Sequence, residues 1–586
     1  MAIILAGNTW NILPYQGRFD SRSPAGIPVS TPNIAPTIIG APTTLYFIAG
    51  VGGTFAFASY TDDVNGDVLT YSLQGAAYTG ITINSSTGVL SVGTDAVAGT
   101  PVLTVRATDT GALYAEWSVT VTVQEVVATP ARFTIPANTS ARTFGVGTYP
   151  LSAGGVGTPV AGDVIELAAG THGPLVLRGI NGVTDETAIT VRGPSSGQAI
   201  IRRADSINSG FVVNFSNCHY FVFDGESSVA PLGEDGKRHS IKIMYPTARS
   251  TPDQTSYIKF TQSGTSTLTV TDHCTMRYIE IDGGWTDGMS PTMAGIGMST
   301  NDNGALKTVY PGEYVENVII EHCCITAIPG EGMYMGPNYT TGSVPLRNFT
   351  VRHNYVARCG LEGIQGKSWF SGTNAIHGNI CIDNLLHTSD NDASAQINVF
   401  IGQANVYDNF CYSSGGHGIV VNNFGGLLTS SNEPGIGTIA GFDSDIYNNV
   451  VVGTGKNAFF GTGKGISTGY NSGAGEVPIN GFIYNNTVVD TSATGIQSSG
   501  SGWVRNNIIF NYTGSATGGS ATNNLSGVVT LSDYFVSPNT TTPESGNWHL
   551  LAEQAAVGTP GTDISSTDIA GTSRSGTASK GAYEYT

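Results

Sequence analysis

Seven segments between residues 318 and 510 can be written beneath one another: VIIEHCCIT, FTVRHNYVA, NAIHGNICI, ANVYDNFCY, SDIYNNVVV, GFIYNNTVV and GWVRNNIIF. Each holds a short apolar strand, a polar corner and a second apolar strand. The corner residues are Cys323, Asn354, Asn379, Asn409, Asn449, Asn486 and Asn507, with successive spacings of 31, 25, 30, 40, 37 and 21. Constant strands with loops of variable length imply a β-solenoid, in which each coil buries its apolar face only on its neighbours. A further strand follows each corner (EGMYMG, EGIQGK, QINVF, HGIVVN, NAFFG, TGIQSS), so each coil carries three strands. Asn suits the bend because stacked amides bond one another and Asn tolerates left-handed backbone. Two positions beyond the corner, Ile325, Val356, Cys381 and Cys411 share one inward column. With rungs about 4.8 Å apart, these cysteines read as stacked core thiols.

Composition agrees. Of 586 residues 78 are Gly and only 12% are charged, which suits short strands joined by many turns. The net charge of −18 argues against nucleic acid or an anionic membrane surface as partner. A polyanionic glycan needs a locally positive or metal-neutralised site. Seven cysteines is an odd number, and their spacings match no zinc pattern. No transmembrane run is present. The start, MAIILAGNTWNILPYQG, has no basic region and a short apolar patch, so no signal peptide is expected. A β protein of this kind is expected to be extracellular or part of a virion.

Residues 1–33 read as an extended arm suited to attachment. From 34 to 126, YTDDVNGDVLTYSL, ITINSSTGVLSV and LTVRATDTGALYAEWSVTVTV alternate in short strands broken by turns, the pattern of a β-sandwich. This stretch resembles the cadherin-like Ig family through Asp63 to Tyr71, Ser85 to Leu90 and Ala107 to Asp109. Calcium-binding relatives imply Asp62, Asp63, Asn65 and Asp67 as ligands; the same residues also form Asx turns. Residues 127–135 read as a linker. The segments GDVIELAAGTHGPLVL and AITVRGPSSGQAIIRR, the corner repeat and the closing DIAGTSRSGTASKGAYEYT resemble right-handed parallel β-helix carbohydrate-active proteins over 136–586. The expected fold is therefore all-β, a right-handed parallel β-helix preceded by an Ig-like β-sandwich.

Along the solenoid, the register before each third strand holds Glu331, Glu362, then Ala395 or Gln396, His417, Asn457 and Thr494. Within those strands Tyr334, Gln365, Lys367, Asn398, Phe400 and Asn422 face outward, and the preceding turn HTSDNDAS adds Asp390 and Asp392. The segment LEGIQGKSW (361–369) resembles the E-x-I-x-x-K-S strand of the chondroitinase B and alginate lyase family. That resemblance implies Glu362 as a calcium ligand and Lys367 as the base removing the proton α to a uronate carboxylate. Two positions depart from the family pattern. Gly360 stands where a second metal Glu is expected, and Phe400 where a catalytic Arg is. Glu331 as a second metal ligand and Arg352 or Arg358 as a cation are the available substitutes. Paired carboxylates among Glu331, Glu362, Asp390 and Asp392, together with His417, suit hydrolysis instead. A third reading is a glycan-binding or structural virion protein, with Trp369 and Phe370 exposed in a turn as sugar platforms. A phage tail spike is the expected setting; tail spikes are trimers, so a homotrimer is expected with it.

Overall fold

The computed structural model describes residues 4–6, 9–11, 33–38, 44–48, 53–124 (except 76, 94 and 98), 132–203, 211–244, 255–261, 270–285, 293–299, 315–336, 346–387 (except 368), 394–422 (except 401, 413 and 414), 442–455, 463–469, 479–498, 501–538 and 547–550. They fall into two compact units, 1–128 and 129–586.

In the first unit, a four-stranded sheet runs in the order Thr44–Ile48, Tyr114–Gln124, Val102–Thr108, Thr70–Gln74. A three-stranded sheet (Gly53–Ala56, Val89–Val92, Ile81–Ile83) contributes to the same apolar core, where Phe57, Leu90, Val105, Val119 and Val121 are fully buried. Val102–Thr108 alternates buried and more exposed residues, as a strand with one face on a core must.

The second unit is a right-handed parallel β-helix. Its three long sheets are parallel throughout and have 14, 12 and 12 strands. From Val164 onward the chain in each coil visits the first sheet, turns a corner into the second, then crosses to the third; from Asn354 to Asn524 the corner residue is Asn. Phe133–Ile135, expected in a linker, is instead the first rung of the first sheet, paired with Val164–Leu167. The C-terminal DIAGTSRSGTASKGAYEYT lies outside the described residues. Among the described residues there is no α-helix.

The corner is a continuous amide ladder. Oδ1 of Asn379 accepts both the backbone N–H and the Nδ2–H of Asn354, each at 3.0 Å. Asn409, Asn449, Asn486 and Asn507 repeat this pair of bonds toward the preceding rung, and Asn524 closes the series at 2.9 and 3.0 Å. Each Nδ2 also donates to a backbone carbonyl, such as Val351 for Asn379. The left-handed backbone expected at these asparagines falls one residue earlier, at His322, His353, Gly378, Asp408, Asn448, Asn485 and Asn506. That leaves the corner side chain pointing inward, where it satisfies the amides that the bend strips from the sheets. The expected column Ile325, Val356, Cys381 and Cys411 is in register and fully buried. All seven cysteines are free and buried.

Outside the corner, rings stack rung on rung. Tyr278, His322 and His353 lie 4.9 and 5.2 Å apart; His377, Tyr407, Tyr447 and Tyr484 follow at 4.5, 4.9 and 5.1 Å. Burial pulls His322 and His377 down to about 4, helped by Lys237 and His353 respectively. His353 is lowered too, by burial and then Arg352. The folded chain therefore binds fewer protons than the unfolded one between about pH 4 and 6.5, so this contribution is complete above the unfolded value and is lost as pH falls. The urea midpoint should drop from about pH 7.5 to about pH 4.5, and His377→Phe should shrink that drop. Asn409→Ala strands two buried donors of Asn379 and should cost on the order of 2–4 kcal/mol in the same denaturation experiment.

Candidate functional site

Strand register brings three outward columns together on the third sheet. The central one is Tyr334, Gln365, Asn398, Val420 and Ser467, paired rung by rung. Before it, at the strand entrances, the register aligns Glu331, Glu362, Ala395 and His417. After it come Gly336, Lys367, Phe400 and Asn422, whose backbone N–H groups bond the neighbouring rung. Although outward in register, Glu362, Gln365, Lys367, Asn398, His417, Asn422 and Ser467 are buried.

Lys367 is 8% exposed. Its Nζ donates to the Tyr334 hydroxyl at 3.0 Å and sits 4.5 Å from the Tyr334 ring centroid and 4.8 Å from that of Phe400. Phe400 thus packs its ring on the cation, which an Arg at this position would repel. Glu362 is 4% exposed; its Oε1 accepts Gln365 Nε2 at 2.8 Å and Asn398 Nδ2 at 3.1 Å. Gly336, at φ 113°, permits the approach of the next rung, where a Cβ would collide with the Lys367 carbonyl.

Trp369 corrects an expectation. It is fully buried rather than displayed in a turn, opens the short strand Trp369–Ser371 beside the first sheet, and donates Nε1–H to the Met335 carbonyl at 3.1 Å. Gly366 makes room for it, since a Cβ there would lie 2.9 Å from the indole. Trp369 is therefore core and offers no ring face to a sugar. Arg352 is a second correction. It lies in the first sheet, paired to Glu321 at 2.6 Å, away from the Lys367 face, and Arg358 pairs with Glu234. Neither replaces the missing Arg.

The register between His417 and Thr494 belongs to Lys464, not Asn457. The third strand of that coil is Ile466–Thr468, and NAFFG lies outside the described residues, as do Asp390 and Asp392. Lys464 was missed because the variable loop ahead of its strand hides the register. Its backbone N–H donates to His417 Nδ1 at 2.8 Å, so any proton on that ring is on Nε2. Burial lowers the pKa of Lys464. Gln365 Oε1, both polar side-chain atoms of Asn422 and Ser467 Oγ are buried with no hydrogen-bond partner among the described residues.

The residues around Glu362 do not fit the calcium that the lyase resemblance implies. Two amide N–H donors face the carboxylate, as they would an anion already satisfied, and Glu331 and Glu362 join no group of three metal-type ligands among the described residues. In the first unit, Asp63, Asp67 and Asp109 do bring carboxylate oxygens within 4.8 Å of one another, and Asp63 Oδ2 is buried with no hydrogen-bond partner among the described residues. Of the residues that the cadherin resemblance implies, Asp63 and Asp67 belong to this trio, whose third member is Asp109.

No family model matches the chain, and no curated protein matches it in sequence. Among solved structures it is similar to tailspike protein 2 of an Escherichia coli O157:H7 bacteriophage (15% identity, TM-score 0.33, 60% of this chain and 42% of that one). It is also similar to the PL6 family alginate lyase AlyGC (16%, TM-score 0.30, 64% and 51%) and to a Yersinia enterocolitica family 28 exopolygalacturonase (11%, TM-score 0.26, 84% and 99%). The chain thus spans about half or less of the tailspike and the lyase.

If Trp369 is core, Trp369→Ala should lower unfolding stability by about 3–5 kcal/mol, measured by urea titration. A sugar platform would lose glycan binding at unchanged stability.

Proposed function

We propose that the β-helix binds an anionic polysaccharide along the outer face of its third sheet and depolymerises it by β-elimination. The observation that carries this reading is the Lys367–Tyr334 pair: a buried lysine Nζ and a phenol oxygen 3.0 Å apart, on a chain of net charge −18. Lys367 in its amine form removes the proton α to a uronate carboxylate. The C–O bond to the leaving sugar breaks as the double bond forms, and Tyr334 protonates the departing oxygen. The proton on Lys367 then passes to the phenolate across their hydrogen bond, restoring both groups. Gln365 gives one Nε2–H to Glu362 and offers the other to the uronate carboxylate, taking the charge-stabilising place that the lyase family gives to metal and Arg. Lys464, in the column of Glu362 and three rungs or roughly 14 Å from it along the face, meets the carboxylate of another sugar unit. The buried polar atoms of Gln365, Asn422 and Ser467 gain partners in sugar hydroxyls.

Hydrolysis is the second reading. Glu331 and Glu362 stand on successive rungs, with Gly332 N–H donating to the Glu362 carbonyl at 2.8 Å, and a rung is close to the roughly 5 Å carboxyl separation of retaining enzymes. A tail-spike setting, trimeric assembly and attachment through residues 1–33 are part of the same proposal.

Incubation with uronate polysaccharides separates the readings. Elimination yields ultraviolet-absorbing unsaturated ends; hydrolysis yields reducing ends without them. Lys367→Ala and Tyr334→Phe should each slow unsaturated-product formation about 10²-fold or more. Full activity in both variants contradicts the assignment.

A further inference from the structure

We propose that Asp235, His239 and Cys324 form a zinc-binding clip that fastens the segment 225–240 onto the outer face of the second sheet. This segment leaves the coil between His219–Asp224 and Ile241–Met244 and folds back on itself, with antiparallel bridges Glu226 to His239 and Leu232 to Arg238. It reaches across later rungs: Glu234 pairs with Arg358, and Lys237 Nζ lies 3.0 Å from His322 Nδ1.

Beneath it lies Cys324. Its neighbour Ile325 occupies the inward column, so Cys324 is in the outward register, paired with Glu280 and Tyr355, yet it is 1% exposed. One ligand atom each from Asp235, His239 and Cys324 lies within 4.8 Å of the others. His239 is fully buried and its Nε2 is 2.9 Å from Asp235 Oδ1, while His239 Nδ1 and Asp235 Oδ2 are buried with no hydrogen-bond partner among the described residues. The unmatched carboxylate oxygen of Asp235, buried beside an imidazole and a thiol, is costly unless something binds there.

The donor set selects the ion. Imidazole nitrogen, thiolate sulfur and carboxylate oxygen suit zinc, whereas calcium and magnesium take oxygen ligands. A tetrahedral zinc with bonds of about 2.0–2.3 Å sets its ligand atoms roughly 3.3–3.6 Å apart, so the cluster closes with a contraction of about 1 Å. Three protein ligands leave the fourth position to water. Binding displaces the thiol proton to solvent, and nothing is oxidised or reduced.

Cobalt(II), which reports thiolate ligation by colour, tests the site in the full-length, untagged, metal-stripped protein. One equivalent should give sulfur-to-cobalt absorption that zinc displaces. The band should vanish in Cys324→Ser, weaken at least tenfold in affinity in Asp235→Asn, and persist in Cys359→Ser, whose thiol is in the core. Chelation should lower the thermal midpoint of the zinc-loaded wild type and leave Cys324→Ser unmoved. Circular dichroism verifies that each variant is folded, and Asp235→Asn carries the test if Cys324→Ser is not. Absence of a thiolate band at saturating cobalt, or its survival in folded Cys324→Ser or at full affinity in Asp235→Asn, overturns the clip.

Discussion

The solenoid depends on one recurring contact, the corner amide that bonds the same amide one rung away. At each of these bends the chain leaves one sheet before entering the next, and the corner residue's backbone N–H loses its sheet partner while its side-chain amide must also be satisfied. The Oδ1 of the next asparagine accepts both, from Asn354 through Asn524. Since this bond exists at only one register, it sets which residue of each coil lies over which. Every column follows from it, including the apolar stack through Ile325, Val356, Cys381 and Cys411. Loop length is then free to vary, which explains how coils 21 and 40 residues long coexist in one stack.

The candidate site is a consequence of that register. Tyr334 and Lys367 are 33 residues apart yet meet because their strands are adjacent rungs. Glu362, Gln365 and Asn398 likewise meet across two rungs. Lys367 lies against the rings of Tyr334 and Phe400, and on the same face Glu362 Oε1 accepts two neutral amides. Phe400 forms part of the wall that holds the Lys367 cation.

Much of this was legible in the sequence because the corner asparagines and the alternation within each strand are local signals. The inward column, the order Tyr334, Gln365, Asn398 along the face and the alignment of Glu331 with Glu362 and His417 all follow from counting outward from the corner. Signals failed where a loop intervenes or where packing overrides position. Lys464 stands behind a long insertion, so counting landed on Asn457. Trp369 follows a turn and looked exposed, but Gly366 opens a slot in the core that the indole fills. Arg352 is close to the site in sequence and on another sheet in space, held by Glu321. The left-handed corner falls on the residue before each Asn because the amide must point inward to bond its neighbour.

The most direct test of the central claim is a crystal structure of the protein soaked with a uronate oligosaccharide. Sugar seated over Tyr334, Gln365 and Lys367 on the third sheet, with a carboxylate toward the Gln365 amide, is the expected result. Sugar bound instead along the His377–Tyr484 ring stack of the first sheet, with the third-sheet face vacant, would contradict it.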